Sequence, residues 1–307
     1  RHEPVPAACR AACAPREEKP MQFKSILAPI GGTDSDMANL TLAARIARRF
    51  SAHVDVFHAK ADPRETMPYL GEGASPALID QVMVSAERDS ETRAVRAKSN
   101  FETWQAQSGL ALAPTPGVVD MPSCALRMET GAEDKWIARL GRLADMTIVA
   151  EPGEGGSVAA MLAFEAALLD TGRPVMMAPI GYRTNDSGSV VVAWNGSAES
   201  SRAVQAGLPF LQQAKSVHVV AVEESANTPD ADAVVRYLAW HRIGAKVRLA
   251  SGKGRPAAQA IVAECEAVDA ALLVMGGYTH NRLRQMIFGG VTAHVIRHAT
   301  IPVLMAH

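Results

Sequence analysis

SILAPIGGTDSDMANLTLAARIARRF (Ser25–Phe50) has a counterpart in the second half of the chain, SVVVAWNGSAESSRAVQAGLPFL (Ser189–Leu211). Each stretch is a short apolar strand, then a Gly-Ser/Thr turn, then a helix with small residues along one face. Gly32 matches Gly196. Nearer the end of each half, TGRPVMMAPI (from Thr171) resembles ATIPVLMAH (from Ala299), with Pro174 matching Pro302. The chain is thus two copies of one unit, and the anchors lie closer together in the second.

The extra length of the first copy falls in Pro76–Ser108, a charged, helix-prone segment with an apolar stripe of Leu78, Val82, Ala86, Phe101 and Trp104. The second copy has only DADAVVRYLAWHRIGA (Asp230–Ala245) there. Both copies then run strand, helix, strand, helix, strand. The later strands are ALRMET, MTIVA and PVMMAP in the first copy, and KVRLA, ALLVM and PVLMA in the second. Such alternation predicts an α/β fold of two tandem, doubly wound parallel-sheet domains. GYRTNDSGS (Gly181–Ser189) has no apolar pattern and reads as a linker, so the domains are expected at 23–181 and 189–307. Residues 1–22 carry prolines and mixed charge without an apolar stretch; they read as a disordered extension, with Met21 placed as a translation start and no function expected.

Hydrophobic residues make up 48% of the 307 and charged residues 21%, a balance that can bury two ordinary cores. A net charge of -1 and a pI near 6.8 argue against nucleic acid and anionic membrane surfaces as partners. No apolar run approaches the roughly 18–20 residues of a membrane span. Cys9, Cys13, Cys124 and Cys265 are scattered, which fits plain reduced thiols and a cytoplasmic location better than a disulfide framework.

In a doubly wound sheet, ligands sit beyond the carboxyl ends of the strands where strand order reverses. Three pieces of the second copy belong there: WNGS (Trp194–Ser197), the end of VHVVAV (Val217–Val222), and MGGYTHNRLRQMIFGGVT (Met275–Thr292). Gly289 and Gly290 precede the helix-like Val291–His298, so free backbone N–H groups and the positive end of the helix dipole would face the loop. Glycine also lets a phosphate approach closely. Asn195 can hydrogen-bond a ribose or a base edge, and Arg282 and Arg284 can reach phosphates, although loop arginines are commonly just solvated. The loop is not a Walker A motif, having no GxxxxGK[ST], and it lacks the GxGxxG of a dinucleotide fingerprint. From the residues alone, a phosphate cradle and a plain glycine-rich exit from the sheet both remain open.

The arrangement resembles the universal stress protein family in its tandem form, over nearly everything from Phe23 to His307. In nucleotide-binding members the loop runs Gly, two residues, Gly, nine residues, then Gly-Ser or Gly-Thr. Gly276 takes the first position and Gly289 the third glycine; Thr279 stands where the second glycine belongs, and Gly290 replaces the hydroxyl residue. The family's first strand usually ends in an aspartate that contacts sugar or base. Asn195 stands there in the second copy and Gly31 in the first. The lost hydroxyl at Gly290 removes one phosphate contact, about 0.5–1.5 kcal/mol. The resemblance implies an adenine nucleotide alpha hydrolase-like fold and a binding or regulatory module rather than an enzyme. It implies ATP, with Mg²⁺, or another adenine nucleotide in the C-terminal copy. The residues nearest the nucleotide would be Asn195, Val222, Met275, Gly276, Thr279, Gly289, Gly290, Val291 and Thr292. The alternative is a nucleotide-free member acting through regulatory protein partners or another small ligand, and slow ATP hydrolysis ranks last.

The first copy reads EPGEGGSVAAMLAFEAALLDTGRPV after MTIVA, without the long spacer, and Glu151 and Glu154 would repel phosphate. It is expected to be a structural partner. In the family the last strands pair across a dimer. Here PVMMAP and PVLMA would do so within one chain as an internal pseudo-dimer, with a further homodimer open. His294 and His298 share a helix face at zinc-compatible spacing, but no H-E-x-x-H pattern accompanies them. Asp34, Asp36, Ser200 and Ser201 read as helix-start residues, the Met-rich strand ends (Met176, Met177, Met275, Met305) as core filler, and GKGR (Gly252–Arg255) as a basic turn.

Overall fold

The computed structural model describes residues 23–62, 75–115, 122–152, 158–182, 184, 188–223, 229–252, 254–277 and 290–307. The first half runs β1 (Ser25–Pro29), α1 (Asp36–Phe50), β2 (His53–Lys60), α2 (Pro76–Ser108), β3 (Ala111–Leu112), β4 (Ser123–Thr130), α3 (Glu133–Gly141), β5 (Met146–Ala150), α4 (Val158–Glu165) and β6 (Val175–Ala178). The second runs β7 (Ser189–Ala193), α5 (Ala198–Leu211), β8 (Ser216–Glu223), α6 (Ala231–Trp240), β9 (Ala245–Ser251), α7 (Ala257–Ala267), β10 (Ala270–Gly276), α8 (Val291–His298) and β11 (Val303–Ala306). The tandem repeat and every strand read from the sequence are present. The two-residue β3 and a π-helical turn at Ala166–Asp170, continuing α4, are additions.

Among the described residues, eleven strands form one sheet, ordered β3-β4-β2-β1-β5-β6-β11-β10-β7-β8-β9. Pairing is parallel within each half and antiparallel where the halves meet, with Met177 opposite Val303 and Val175 opposite Met305. Two carboxyl-terminal strands thus join the copies as an internal pseudo-dimer, and each covers what would otherwise be an open sheet edge on the other. In each half the order reverses beside the first strand, between β1 and β5 and between β7 and β10.

Apolar alternation along each strand feeds two cores on opposite faces. Ile26, Ala28, Val190 and Val192 point to the side carrying α1, α2, α5 and α6. Leu27, Val191 and Ala193 point to the side carrying α3, α4, α7 and α8. Near the junction of the halves, the rings of Phe23, Phe50 and Phe210 meet edge-on or tilted at 5.1–5.4 Å. Met176, Met177, Met275 and Met305 are all buried, as their place at the strand ends predicts.

The apolar stripe expected along α2 is only half realised. Ala94, Ala97, Phe101 and Trp104 are buried, whereas Leu78 stays 48% exposed. The helix is longer than the sheet face it can cover, and its first turns project beyond it.

Candidate functional site

The turns that follow β1 and β7 align on Gly32 and Gly196, yet they are held by different atoms, and α5 begins after four residues where α1 begins after six. In the first copy the Asp36 carboxylate reaches back and accepts the backbone N–H groups of Gly31 (3.0 Å), Gly32 (3.0 Å) and Thr33 (3.1 Å). The Thr33 hydroxyl (3.2 Å) and Asn100 Nδ2 (2.9 Å) add two more donors. Three successive main-chain N–H groups form an anion-binding nest, and here the protein supplies its own anion. Asp36 therefore does not cap its helix, as its position suggested. Ser35 is the residue before α1, and it makes no side-chain cap hydrogen bond.

Helix α2 then shuts the mouth. Gly32 has φ +71°, and a Cβ there would collide with the Arg93 carbonyl. Beside it, buried His58 holds Nδ1 2.8 Å from the Ile30 carbonyl, and burial pushes its pKa down. Nδ1 must then be the protonated, donating nitrogen. Glu133, at the start of α3, is pushed up to about 7 by burial. Glu151, suspected of repelling phosphate, instead braces the fold, its carboxylate accepting the Ile180 N–H at 2.9 Å. Gly153–Ser157 and Glu154 lie outside the described residues.

In the second copy the position of Asp36 is taken by Ser200. Ser197 caps α5, accepting the Ser200 N–H at 3.1 Å, so the cap is one turn earlier than Ser200-Ser201 suggested. Asn195 Oδ1 accepts the Ser197 N–H at 3.1 Å, which closes an Asx turn. Gly196 has φ +76°, and a Cβ there would meet nothing within 4 Å. This turn is open where the first is filled.

Strand register brings several predicted residues to one edge. Ala193 pairs with Met275 and with Val220, so Asn195, Val222 and Gly276 lie at the carboxyl ends of three neighbouring strands. Met275 is 4% exposed, packed in the core, and can offer the site only its main chain. Gly276 presses on the start of α5: a Cβ would stand 2.7 Å from the Ser200 nitrogen and 2.9 Å from the Glu199 Cβ. Gly290 precedes α8 with φ 99° and ψ -170°, a conformation reserved for glycine, and no side chain caps that helix. Val291 is partly buried and Thr292 buried in its first turn. Thr279, Gly289, Arg282, Arg284 and His280 lie outside the described residues.

Residues 187–307 match the model of the universal stress protein family. This half of the chain belongs to that family. A universal stress protein of Synechocystis sp. is 32% identical over 138 residues, 43% of this chain and 46% of that protein, so the chain spans about half the length of this curated relative. Among solved structures, a universal stress protein from Archaeoglobus fulgidus DSM 4304 overlaps 93% of this chain and 99% of its own, with a TM-score of 0.64 at 17% identity. A protein of unknown function from Pseudomonas aeruginosa PAO1 overlaps 92% of each chain, with a TM-score of 0.54 at 13% identity. At those identities the likeness is one of fold, and it extends the universal stress protein architecture over both copies.

Two neighbours of this universal stress protein edge were not read from the sequence. Glu199 stands in the first turn of α5, and its side chain is 16% exposed. Its own backbone N–H, then the Ser197 hydroxyl, Arg202 and His307, hold its carboxyl below the usual range. His307 places Nδ1 3.1 Å from the Gly277 carbonyl. Glu199 sits two residues past Ser197, in the first turn of α5, where a carboxylate also complements the helix dipole.

The remaining candidates are structural. His294 and His298 stack at 4.0 Å, and His298 Nδ1 lies 2.8 Å from the His294 carbonyl. Among the described residues no group of three or more His, Cys, Asp or Glu could hold a metal. Cys124 and Cys265 are buried, their thiols pushed up to about 11 and about 12 by burial, so neither is a nucleophile at neutral pH. Cys9 and Cys13 lie outside the described residues. No helix among the described residues is long and apolar enough to cross a membrane.

Proposed function

We propose that residues 187–307 form a binding and regulatory module that takes ATP or another adenine nucleotide at the carboxyl edge of β7, β8 and β10. The observation that carries this reading is the glycine at the start of α8. Gly290 adopts a glycine-only conformation, φ 99° and ψ -170°, directly before that helix, where bare backbone and the positive end of the helix dipole let an anion approach closely. Gly276 supports it, since only glycine lets the end of β10 approach α5 so closely. In this reading the α8 donors face the phosphates, and Asn195, whose oxygen closes its own turn, offers Nδ2 to sugar or base. Mg²⁺ arrives with the nucleotide in this reading.

The test is thermal unfolding of the full chain against ATP with and without Mg²⁺. Bound ligand raises the midpoint with concentration by mass action. Thr279→Gly restores the family's second glycine and should tighten binding. Gly290→Ser should not, because φ 99° strains any side chain there by about 1–3 kcal/mol. A midpoint unmoved at millimolar ATP in both the parent and Thr279→Gly proteins would refute the proposal.

A second reading has its own observation. Glu199, whose Cβ lies beside Gly276 and whose carboxyl is held below the usual range, brings an acid to this edge that opposes phosphate, which favours a nucleotide-free module working through protein partners.

A further inference from the structure

The two outer edges of the sheet are finished differently. In the first copy, residues 109–122 join α2 to β4, and within them β3 pairs Ala111 with Ser123 and Leu112 with Cys124. In the second, residues 241–244 join α6 to β9, too few to lay down another strand. β9 pairs with β8 along its whole length, Ala245–Ser251, and nothing among the described residues pairs with its other side. Main-chain N–H and C=O groups along Ala245–Ala250 therefore face outward, a ready template for another strand.

Side chains along this edge are sorted by face. Ala245 and Val247 pack into the core that α6 covers, so Leu249, in the same alternation, lies on that face, and it is 55% exposed. Trp240, the last residue of α6, is 88% exposed and stands just before the start of β9. On the opposite face Ala250 joins the other core, Arg248 pairs with Glu264 of α7, and Lys246 is exposed. Arg242 is exposed in the turn before the strand, and β9 itself carries no acid. Burial, and then the charges of Arg248 and Lys246, lower the pKa of His218 on β8, against the opposing pull of Glu264. The edge is thus apolar on one face and cationic on the other. Pairing two copies of β9 would set like charges against each other across the new ladder. A strand of opposite charge suits this edge better than a second copy of the chain.

We propose that β9 takes up an extended acidic segment of a partner protein by strand addition. The segment's main chain pairs with Ala245–Ala250, its carboxylates lie on the Lys246 face, and its apolar side chains lie along Leu249 toward Trp240. In such an arrangement main-chain hydrogen bonds supply affinity and alternate side chains supply specificity. β9 takes no part in the edge formed by β7, β8 and β10, and the inference stands whether or not nucleotide binds.

The probe is a fluorescein-labelled octapeptide of alternating glutamate and valine, matched to the two faces of β9 and titrated into the full chain by anisotropy. It should bind saturably. The same peptide with every main-chain nitrogen methylated keeps its charge but cannot donate, and should bind at least about tenfold more weakly. A lysine–valine counterpart should also bind at least about tenfold more weakly. Lys246→Glu should weaken the glutamate peptide by about tenfold and strengthen the lysine peptide. Leu249→Ser should weaken the glutamate peptide by about threefold or more. Both side chains are exposed, so the variants keep the fold, and neither should alter the response to ATP. Undetectable binding of the glutamate peptide at millimolar concentration, equal affinity for its methylated form, or affinity unmoved in Lys246→Glu would each overturn the proposal. So would a homodimer, seen by sedimentation, that Leu249→Asp dissociates, because a second copy would then hold the edge.

Discussion

Two turns of one design, Gly31–Asp36 and Asn195–Ser200, have taken opposite courses. The first places a carboxylate in its own nest of N–H groups and lies beneath α2; the second uses a serine as an ordinary helix cap and stays open. One residue position, Asp36 against Ser200, and one lengthened helix, α2 against α6, account for the difference. A duplicated fold can therefore leave the same turn open in one copy and fill it from within in the other.

The comparison can be broken most directly at Asp36. Asp36→Ala leaves the N–H groups of Gly31, Gly32 and Thr33 without their acceptor in a partly buried turn. Urea unfolding should show a loss of about 3–4 kcal/mol. Ser200→Ala, at the matching position, should cost less than about 1 kcal/mol because the Ser200 main-chain N–H keeps its bond to Ser197. Similar losses from both would mean that the two turns are held alike.

The glycines give the next contrast. Gly32→Ala must displace the Arg93 carbonyl as well as force a residue with a side chain to φ +71°, and should lower stability by about 3 kcal/mol. Gly196→Ala meets the same strain at φ +76° in open space and should cost about 1 kcal/mol. Thermal unfolding of the pair would separate collision from backbone strain.

A smaller effect sharpens the picture of the closed mouth. Glu133 has its folded pKa raised to about 7 by burial, so the folded state binds its proton more tightly than the unfolded chain does. Its contribution is therefore fully present below the unfolded value and is lost as pH rises through about 7. Glu133→Gln should raise stability at pH 8 by about 1–2 kcal/mol relative to its effect at pH 4. A pH-independent difference would place the carboxylate in solvent.

Much of the fold was legible because it is written twice. The strand–turn–helix at Ser25–Phe50 and Ser189–Leu211, and the matching PVMMAP and PVLMA, give strands and repeat by short-range pattern, whereas the pairing of the last strands was implied by the family resemblance. The site was less legible. Gly276 could be read as a strand-end glycine, but that its missing Cβ makes room for α5 depends on packing across the sheet. Asp36 looked like a helix-start acid because sequence distance cannot say whether a carboxylate turns forward to its helix or back to the preceding loop. The closure by α2 was hidden for a related reason: Asn100 is remote from Thr33 and Asp36 in the chain, and they meet only in space.

The measurement that bears most directly on this contrast is the stoichiometry of ATP binding to the full chain, by calorimetry or equilibrium dialysis in the presence of Mg²⁺. An open second copy and a self-filled first copy predict one equivalent per chain, unchanged in Gly32→Ala provided that protein stays folded, and lost in Gly276→Val. Two equivalents would show that the first turn still admits a nucleotide. None would show that the open turn and the glycine before α8 serve something other than phosphate.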